Sequence, residues 1–229
     1  MERPPKTVVV VAGGARPGPR PLAAVPPGAP VIAADRGAEY ALASGLSVDL
    51  AVGDFDSITA AGLKALERGG VRLERHPSAK DVTDLELALD AAAALAPERI
   101  LVVAGGGGRL DHLLGELSLL ASEAYASVEV DAVVGRATVN VVRRERTLTG
   151  RVGELISLLP LHGPAVGVVT SGLGYPLRGD TLRPGSSRGI SNLFTAEEAR
   201  VALESGVLLA VKPGRRAPAA ARAGILARR

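Results

Sequence analysis

The sequence predicts an α/β fold: an N-terminal open, mostly parallel sheet flanked by helices, followed by a smaller all-β, sandwich-like domain. Three observations predict it. Two unbroken apolar runs, "KTVVVVAGG" (6–14) and "ERILVVAGGGG" (98–108), end in glycine, as do strands buried on both faces of a parallel sheet. Candidate strands and helices alternate between those runs. From about residue 128 long helical stretches vanish, and turn residues recur about every eight to twelve positions.

Taken in order, "PVIAAD" (30–35), "VDLAVGD" (48–54) and "VRLERH" (71–76) join the two apolar runs as strands. Helices are expected over 37–45, 59–69, 82–96 and 111–124. In the third of these Leu85, Leu89 and Ala92 or Ala93 recur at helical spacing, with Thr83 or Asp81 to cap its start. The Pro-rich stretch 17–30 reads as a surface loop. "VEVDAVVG", "ATVNVVR", "ELISLLPL", "AVGVVTSG" and "GVLLAVK" then read as short strands. The expected organisation is an α/β domain over 1–145, a β-rich domain over 146–213 and a basic, flexible tail over 214–229. At about 70 residues the β-rich domain is small enough to expect a partner to complete its core.

At 229 residues with 47% hydrophobic content, the chain has enough apolar material for real cores. The absence of Cys excludes disulfide and thiol chemistry and points to a cytoplasmic protein. No apolar run reaches membrane-spanning length, and the start of the chain does not read as a secretory signal. The tail holds Arg215, Arg216, Arg222, Arg228 and Arg229 and no acid; subtracting those five from the net +3 leaves −2 elsewhere. The basic pI thus belongs to a solvated terminus, and neither a nucleic-acid nor a membrane partner is expected.

Ligands of open α/β sheets bind beyond the carboxyl ends of the strands, and acids collect at that edge. Asp35 ends "VIAAD", Asp54 and Asp56 follow "LAVG", and Asp111 follows the loop after "ILVVA". "KDVTD" adds Lys80, Asp81 and Asp84 at a helix start. Capping and turns account for single aspartates, but a cap needs one carboxylate and "GDFDSI" (53–58) offers two. Hard divalent cations take such oxygen ligands together with substrate phosphates, which points to Mg²⁺ carrying a nucleotide. "GGGGRLDH" (105–112) supplies a backbone able to approach phosphate, through Gly107 and Gly108, with Arg109 as a charged fork. It is not a Walker A loop. His76, His112 and His162 lack zinc-ligand spacing, and no Gly-x-Ser-x-Gly elbow is present.

These motifs carry a resemblance. "DRGA" (35–38), "GDFDSI" (53–58), "KDVTDLELAL" (80–89) and "GGGGRLDH" (105–112) are similar, in order and spacing, to the motifs of thiamine pyrophosphokinases. "SLLPL" (157–161), "GLGYPL" (172–177) and "ISN" (190–192) resemble that family's thiamine-binding domain. The resemblance implies diphosphoryl transfer from ATP to the hydroxyl of thiamine, with Mg²⁺ as cofactor. It also implies a homodimer whose active sites lie between the α/β domain of one subunit and the β domain of the other. Carried over by position, Asp54, Asp56 and Asp84 are the metal site. Asp35, Arg109 and Asp111 complete the catalytic set, and Lys80, Asp81, Gly107, Gly108 and Arg109 contact the nucleotide. Ser191 and Asn192 contact thiamine, and because the chain has no Trp, ring stacking comes from Phe194 or Tyr175 or is replaced by aliphatic contact.

The sequence departs from the family at Arg36, where glycine usually follows the first aspartate, at Glu39, where asparagine is frequent, and at "LLGEL" after His112, which lacks an asparagine. Two other readings compete. Asp-x-Asp-Ser loosely mimics the nucleophile pair of a Mg²⁺-dependent phosphohydrolase, in which a separate acceptor domain would have no role. A catalytically silent nucleotide- or thiamine-binding protein of the same fold is the other, and the intact acidic set argues against it.

Overall fold

Strand β1 (Thr7–Val11) is the one around which the first part of the chain is built. Val8, Val9, Val10 and Val11 are all completely buried. Burial of each contributes about 2 kcal/mol of hydrophobic free energy before conformational entropy is charged against it. The structure, a computed structural model, describes residues 5–214. The chain divides into two compact units, Met1–Arg136 and Ala137–Arg229. The expected tail lies outside the described residues except for Gly214.

In the first unit β1 is followed by α1 (Pro19–Leu22), β2 (Val31–Ala34), α2 (Gly37–Ala43), β3 (Leu50–Gly53), α3 (Ala60–Arg68) and β4 (Arg72–Arg75). Then come α4 (Asp84–Ala93), β5 (Arg99–Ala104), α5 (Leu110–Leu120), a 3₁₀ turn over Glu123–Tyr125 and β6 (Glu129–Val134). The strand order is β4-β3-β2-β1-β5-β6, and every neighbouring pair is parallel. The chain starts in the middle, builds outward to β4 and returns to the other side of β1, so the topological switch lies between β1 and β5. The outer strand β4 is largely exposed and carries Arg72, Glu74 and Arg75, charges that discourage pairing with another edge. Part of the Pro-rich stretch 17–30 is helical, with Pro at the start of α1, where its missing N–H costs nothing.

Local chemistry explains where the helices begin. Thr59 Oγ1 accepts from Gly62 N at 3.0 Å to start α3, and Thr83 Oγ1 accepts from Glu86 N at 3.2 Å to start α4. Thr83, and not Asp81, is the cap of α4. Glu39, one of the departures, takes hydrogen bonds from Thr59 Oγ1 at 2.6 Å and Thr59 N at 3.4 Å, tying α2 to the entry of α3. Arg36, another departure, is the N-cap residue of α2 and makes no capping side-chain bond.

The second unit is antiparallel throughout. It comprises β7 (Ala137–Val142), β8 (Glu145–Thr149), β9 (Leu155–Ser171), β10 (Arg178–Leu182), β11 (Asn192–Leu193), β12 (Glu198–Ala202) and β13 (Ser205–Lys212). The order is β7-β13-β9-β12-β8, with β10 and β11 also on β9. β7 falls in this unit because it pairs with β13 from Thr138 to Val142, whereas the expected boundary of 145 left it in the first. The two strands expected at 154–161 and 165–172 are one 17-residue strand, β9. Left-handed backbone at His162, Gly163 and Gly167 bends it and shifts which side chains face inward: Ile156, Leu158 and Pro160 before the bend, Ala165, Val168 and Thr170 after. The unit has a core of its own, with Ile156, Leu158, Leu182, Phe194 and Leu208 completely buried. The size argument for a partner therefore falls away.

The contact of α2 with β1 offers a test. A Cβ on Gly37 would lie 2.2 Å from the carbonyl oxygen of Val11, inside a fully buried strand that cannot yield. Gly37→Ala is expected to destabilise the protein by about 1–3 kcal/mol, lowering the urea midpoint at unchanged m-value. Gly115→Ala on α5, where a Cβ meets nothing within 4 Å, should instead stabilise by about 0.5–1 kcal/mol.

Candidate active site

The carboxyl edge of the first sheet gathers acids from three connections. Asp35 follows β2, Asp54 follows β3 and Asp84 opens α4. One carboxylate oxygen from each lies within 4.8 Å of the others. β2 and β3 pair in register through Ala34 and Val52, and this puts the two strand ends side by side. Gly53 makes the approach of Asp84 possible. Its φ is +149°, and a Cβ there would stand 3.1 Å from Asp84 Oδ1 and 3.2 Å from the Cβ of Asp35.

The turn after β3 is held open by its own bonds. Asp54 Oδ1 accepts from Asp56 N at 3.1 Å, an Asx turn. Phe55 takes a left-handed φ of +59°, a conformation unfavourable for a bulky residue, and its buried ring anchors the turn beneath the Arg75 guanidinium, 5.1 Å from the ring centre. Asp35 is also left-handed, at φ +45°. The Ser57 hydroxyl donates to Asp35 Oδ2, and Asp35 Oδ1 is buried with no hydrogen-bond partner. Asp35 is only 8% exposed, so that bare oxygen is an acceptor waiting for a cation or donor. Lys80 Nζ reaches in to 3.1 Å from Asp84 Oδ1 and 3.9 Å from Asp54 Oδ2. An all-oxygen, all-carboxylate donor set of this kind fits a hard divalent cation such as Mg²⁺.

Of the acids expected to bind metal, Asp54 and Asp84 belong to this set, and its third member is Asp35. Asp56 is exposed beside it, and the Asp54 carboxylate foremost, then some loss of hydration, then Asp35 and Asp84 push its pKa up. Asp54 is pulled the other way, first by the backbone N–H of Asp56. Asp81 is exposed at the loop before α4 and is not part of the cluster. Gly53 and Ser57 were not singled out from the sequence; their signal was their place inside "GDFDSI".

Gly107 and Gly108 are exposed in the loop from β5 to α5, Gly108 at φ +91°. Arg109 and Asp111 form a two-pronged pair there, Nε to Oδ1 at 3.2 Å and Nη2 to Oδ2 at 2.6 Å. Both side chains are well exposed, yet the guanidinium holds the Asp111 carboxyl down at about 2.

In the second unit the residues expected at thiamine divide into those available and those not. Phe194 is completely buried, packed against Gly150 in the core, so its ring presents no face for stacking. Asn192 is 3% exposed and its amide is occupied: Oδ1 accepts from Tyr175 N and Leu193 N, each at 2.9 Å, and Nδ2 donates to Tyr175 O at 2.7 Å. These bonds clamp the 172–177 turn onto β11 and display Tyr175, which is 56% exposed. Ser191 is exposed at a left-handed φ of +58°, its N–H donating to Ser157 Oγ at 3.1 Å.

Comparison with known proteins sets these features beside a family. Residues 29–131 match the model described as thiamin pyrophosphokinase, catalytic domain, and residues 138–208 match thiamin pyrophosphokinase, vitamin B1 binding domain. The thiamine pyrophosphokinase of Bacillus subtilis (strain 168) is 28% identical over 188 residues, 79% of this chain and 86% of that protein. A crystal structure of the B. subtilis enzyme superposes with a TM-score of 0.80 at 28% identity, covering 90% of this chain and 98% of the other. The thiamin pyrophosphokinase of Geobacillus thermodenitrificans gives 0.78 at 26% identity, covering 93% and 98%.

Asp56 provides the test of the cluster's electrostatics. Its folded pKa is raised, so its ionised form opposes folding, and the stability it permits when protonated is lost as pH rises through that raised value. Asp56→Asn should therefore melt above the parent protein at pH 7, and the advantage should vanish below the carboxylate range. Thermal melts across pH 3–8 check this; an Asn variant less stable at pH 7 contradicts it.

Proposed function

The chain belongs to the thiamin pyrophosphokinase family, and we propose that it transfers a diphosphoryl group from ATP to the hydroxyl of thiamine, giving thiamine diphosphate and AMP. The observation that carries this reading is the carboxylate cluster of Asp35, Asp54 and Asp84, with its buried, unpartnered Asp35 oxygen, inside the segment matched by the catalytic-domain model. Those three residues, with Asp56 at the rim, would hold Mg²⁺, which supplies neutralisation of the polyphosphate charge. Glycine-lined backbone at Gly107 and Gly108, together with Lys80 and Arg109, cradles the phosphate chain. Tyr175 and Ser191 are the residues we assign to thiamine, with Asn192 as the clamp that positions Tyr175.

In the reaction, the thiamine hydroxyl oxygen bonds to the β-phosphorus while the bond from that phosphorus to the α–β bridging oxygen breaks. AMP leaves with the bridging oxygen and its electron pair. The charge that develops there meets Arg109, the group in this chain suited to stabilise it. Asp111, held down at about 2 by Arg109, is a poor proton acceptor at neutral pH and instead aims the guanidinium. Asp35, shared with the metal set, is the carboxylate we assign to orient the attacking hydroxyl or take its proton.

Phosphorus NMR on protein, thiamine, ATP and Mg²⁺ should give AMP and thiamine diphosphate in equal amounts. ADP with thiamine monophosphate as main products would refute the reading. Asp54→Asn should lower kcat by about a thousandfold, the loss of several kcal/mol of charge stabilisation.

We further propose a homodimer acting in the cytoplasm, with each active site drawing on both subunits. The supporting consideration is that the two matched segments carry complementary halves of one reaction, nucleotide and acceptor. Light scattering at micromolar concentration should give twice the chain mass, and a fully active monomer would overturn the assembly while leaving the chemistry intact.

A further inference from the structure

The carboxylate cluster already contains a cation. Lys80 Nζ is 3.1 Å from Asp84 Oδ1 and 3.9 Å from Asp54 Oδ2, and it donates to Pro77 O at 3.1 Å. Its side chain is 14% exposed, beside 13% for Asp54, an unusual degree of burial for lysine. Three carboxylates facing one ammonium leave two negative charges uncompensated. Asp35 Oδ1, buried in a residue 8% exposed, is in the cluster and has no hydrogen-bond partner. Lys80 is thus an ion-pair partner of two of the three acids, while the buried Oδ1 atoms of Asp35 and of Asp84 both lack a hydrogen-bond partner.

A divalent cation that ligates Asp84 and Asp54 competes with the Lys80 ammonium for the same carboxylates, and two cations at one carboxylate repel. Lysine suits such an exchange: its charge sits on a four-carbon stem with freely rotating donors, unlike the fixed fork of arginine. The residue sits four positions before Asp84, at the mouth of the helix start, so a change of rotamer suffices to swing the ammonium off the carboxylates. What it meets on leaving is the anionic ligand that arrives with the metal.

We propose that Lys80 is a resident counter-ion that the incoming divalent cation displaces, and that the displaced ammonium then binds the polyphosphate. This rests on reading the cluster as the metal–nucleotide site. The exchange makes the bare metal a poor ligand and the metal–nucleotide complex a good one, so the cluster fills only when both arrive together.

Two variants, Lys80→Met and Lys80→Gln, remove the charge and keep most of the volume. Mn²⁺ binding without nucleotide, followed by electron paramagnetic resonance, should be about tenfold tighter in both variants than in the parent. Binding of ATP with Mg²⁺, measured by calorimetry without thiamine, should be about tenfold weaker. A lysine that merely holds the loop together would weaken both. In metal-free buffer the variants should melt lower than the parent, because the carboxylates lose their cation, and Mn²⁺ should raise their melting temperature more than the parent's. Mn²⁺ affinity equal or weaker in the variants, or melting not rescued by Mn²⁺, overturns the exchange. If the parent itself binds no Mg²⁺–ATP, the nucleotide reading of the cluster fails along with it.

Discussion

Three carboxylates held within 4.8 Å repel one another, and much of the first unit serves to keep them there. The parallel register of β2 and β3 fixes two of the strand ends, and Thr83 starts α4 at the right residue to deliver the third. Gly53 removes the side chain that would keep them apart. Ser57 takes one oxygen of Asp35, the backbone of Asp56 takes one of Asp54, and Lys80 stands against Asp84. The left-handed backbone at Asp35 and Phe55 is the strain that this arrangement carries, and the buried Phe55 ring is what resists its release. The preorganised negative charge is the part of the fold hardest to explain without a cation, since burial and mutual repulsion both oppose it.

Much of the fold was legible in the sequence because strand and helix periodicity is local. The valine run of β1 and the aliphatic run of β5 announce doubly buried parallel strands, and the capping residues Asp81 and Thr83 announce the start of α4 to within two positions. What was not legible depends on partners far along the chain. β6 has the composition of the β-rich segment, yet it pairs in parallel with β5. β9 contains two prolines and a glycine-rich bend that read as a break; it continues because β13 pairs along its first half and β10 and β12 along its second.

The same distinction runs through the candidate site. Asp54 and Asp84 were evident from motif spacing, because both sit beside the turns that position them. Asp35 lies with Asp54 and Asp84 through strand register, and the left-handed backbone at Phe55, between Asp54 and Asp56, breaks the alternation that would put both on one side, leaving Asp56 exposed beside the cluster. Phe194 and Asn192 illustrate the limit for a short motif. Nothing in "ISNLF" tells that the amide faces backbone and the ring faces the core, since both follow from the pairing of β11 with β9. Tyr175, nineteen residues before Phe194 and 56% exposed, is left as the aromatic ring that the described residues of this unit present to solvent.

The strand pairing of the second unit also governs the order in which the chain acquires structure. Every parallel pairing is between strands that end by Val134, so those strands have their parallel partners once those residues have been synthesised. The second unit has no such early completion. β13, the last strand, pairs with both β7 and β9, joining Thr138 to Lys212. Until it emerges, β7 lacks its antiparallel partner and one long edge of β9 is open, with the Leu158 backbone there unpaired. Long-range closures of this kind are slow, and open strand edges are sticky. A ribosome making this protein therefore carries a finished parallel sheet alongside an unfinished antiparallel one for most of the time needed to synthesise the final third of the chain.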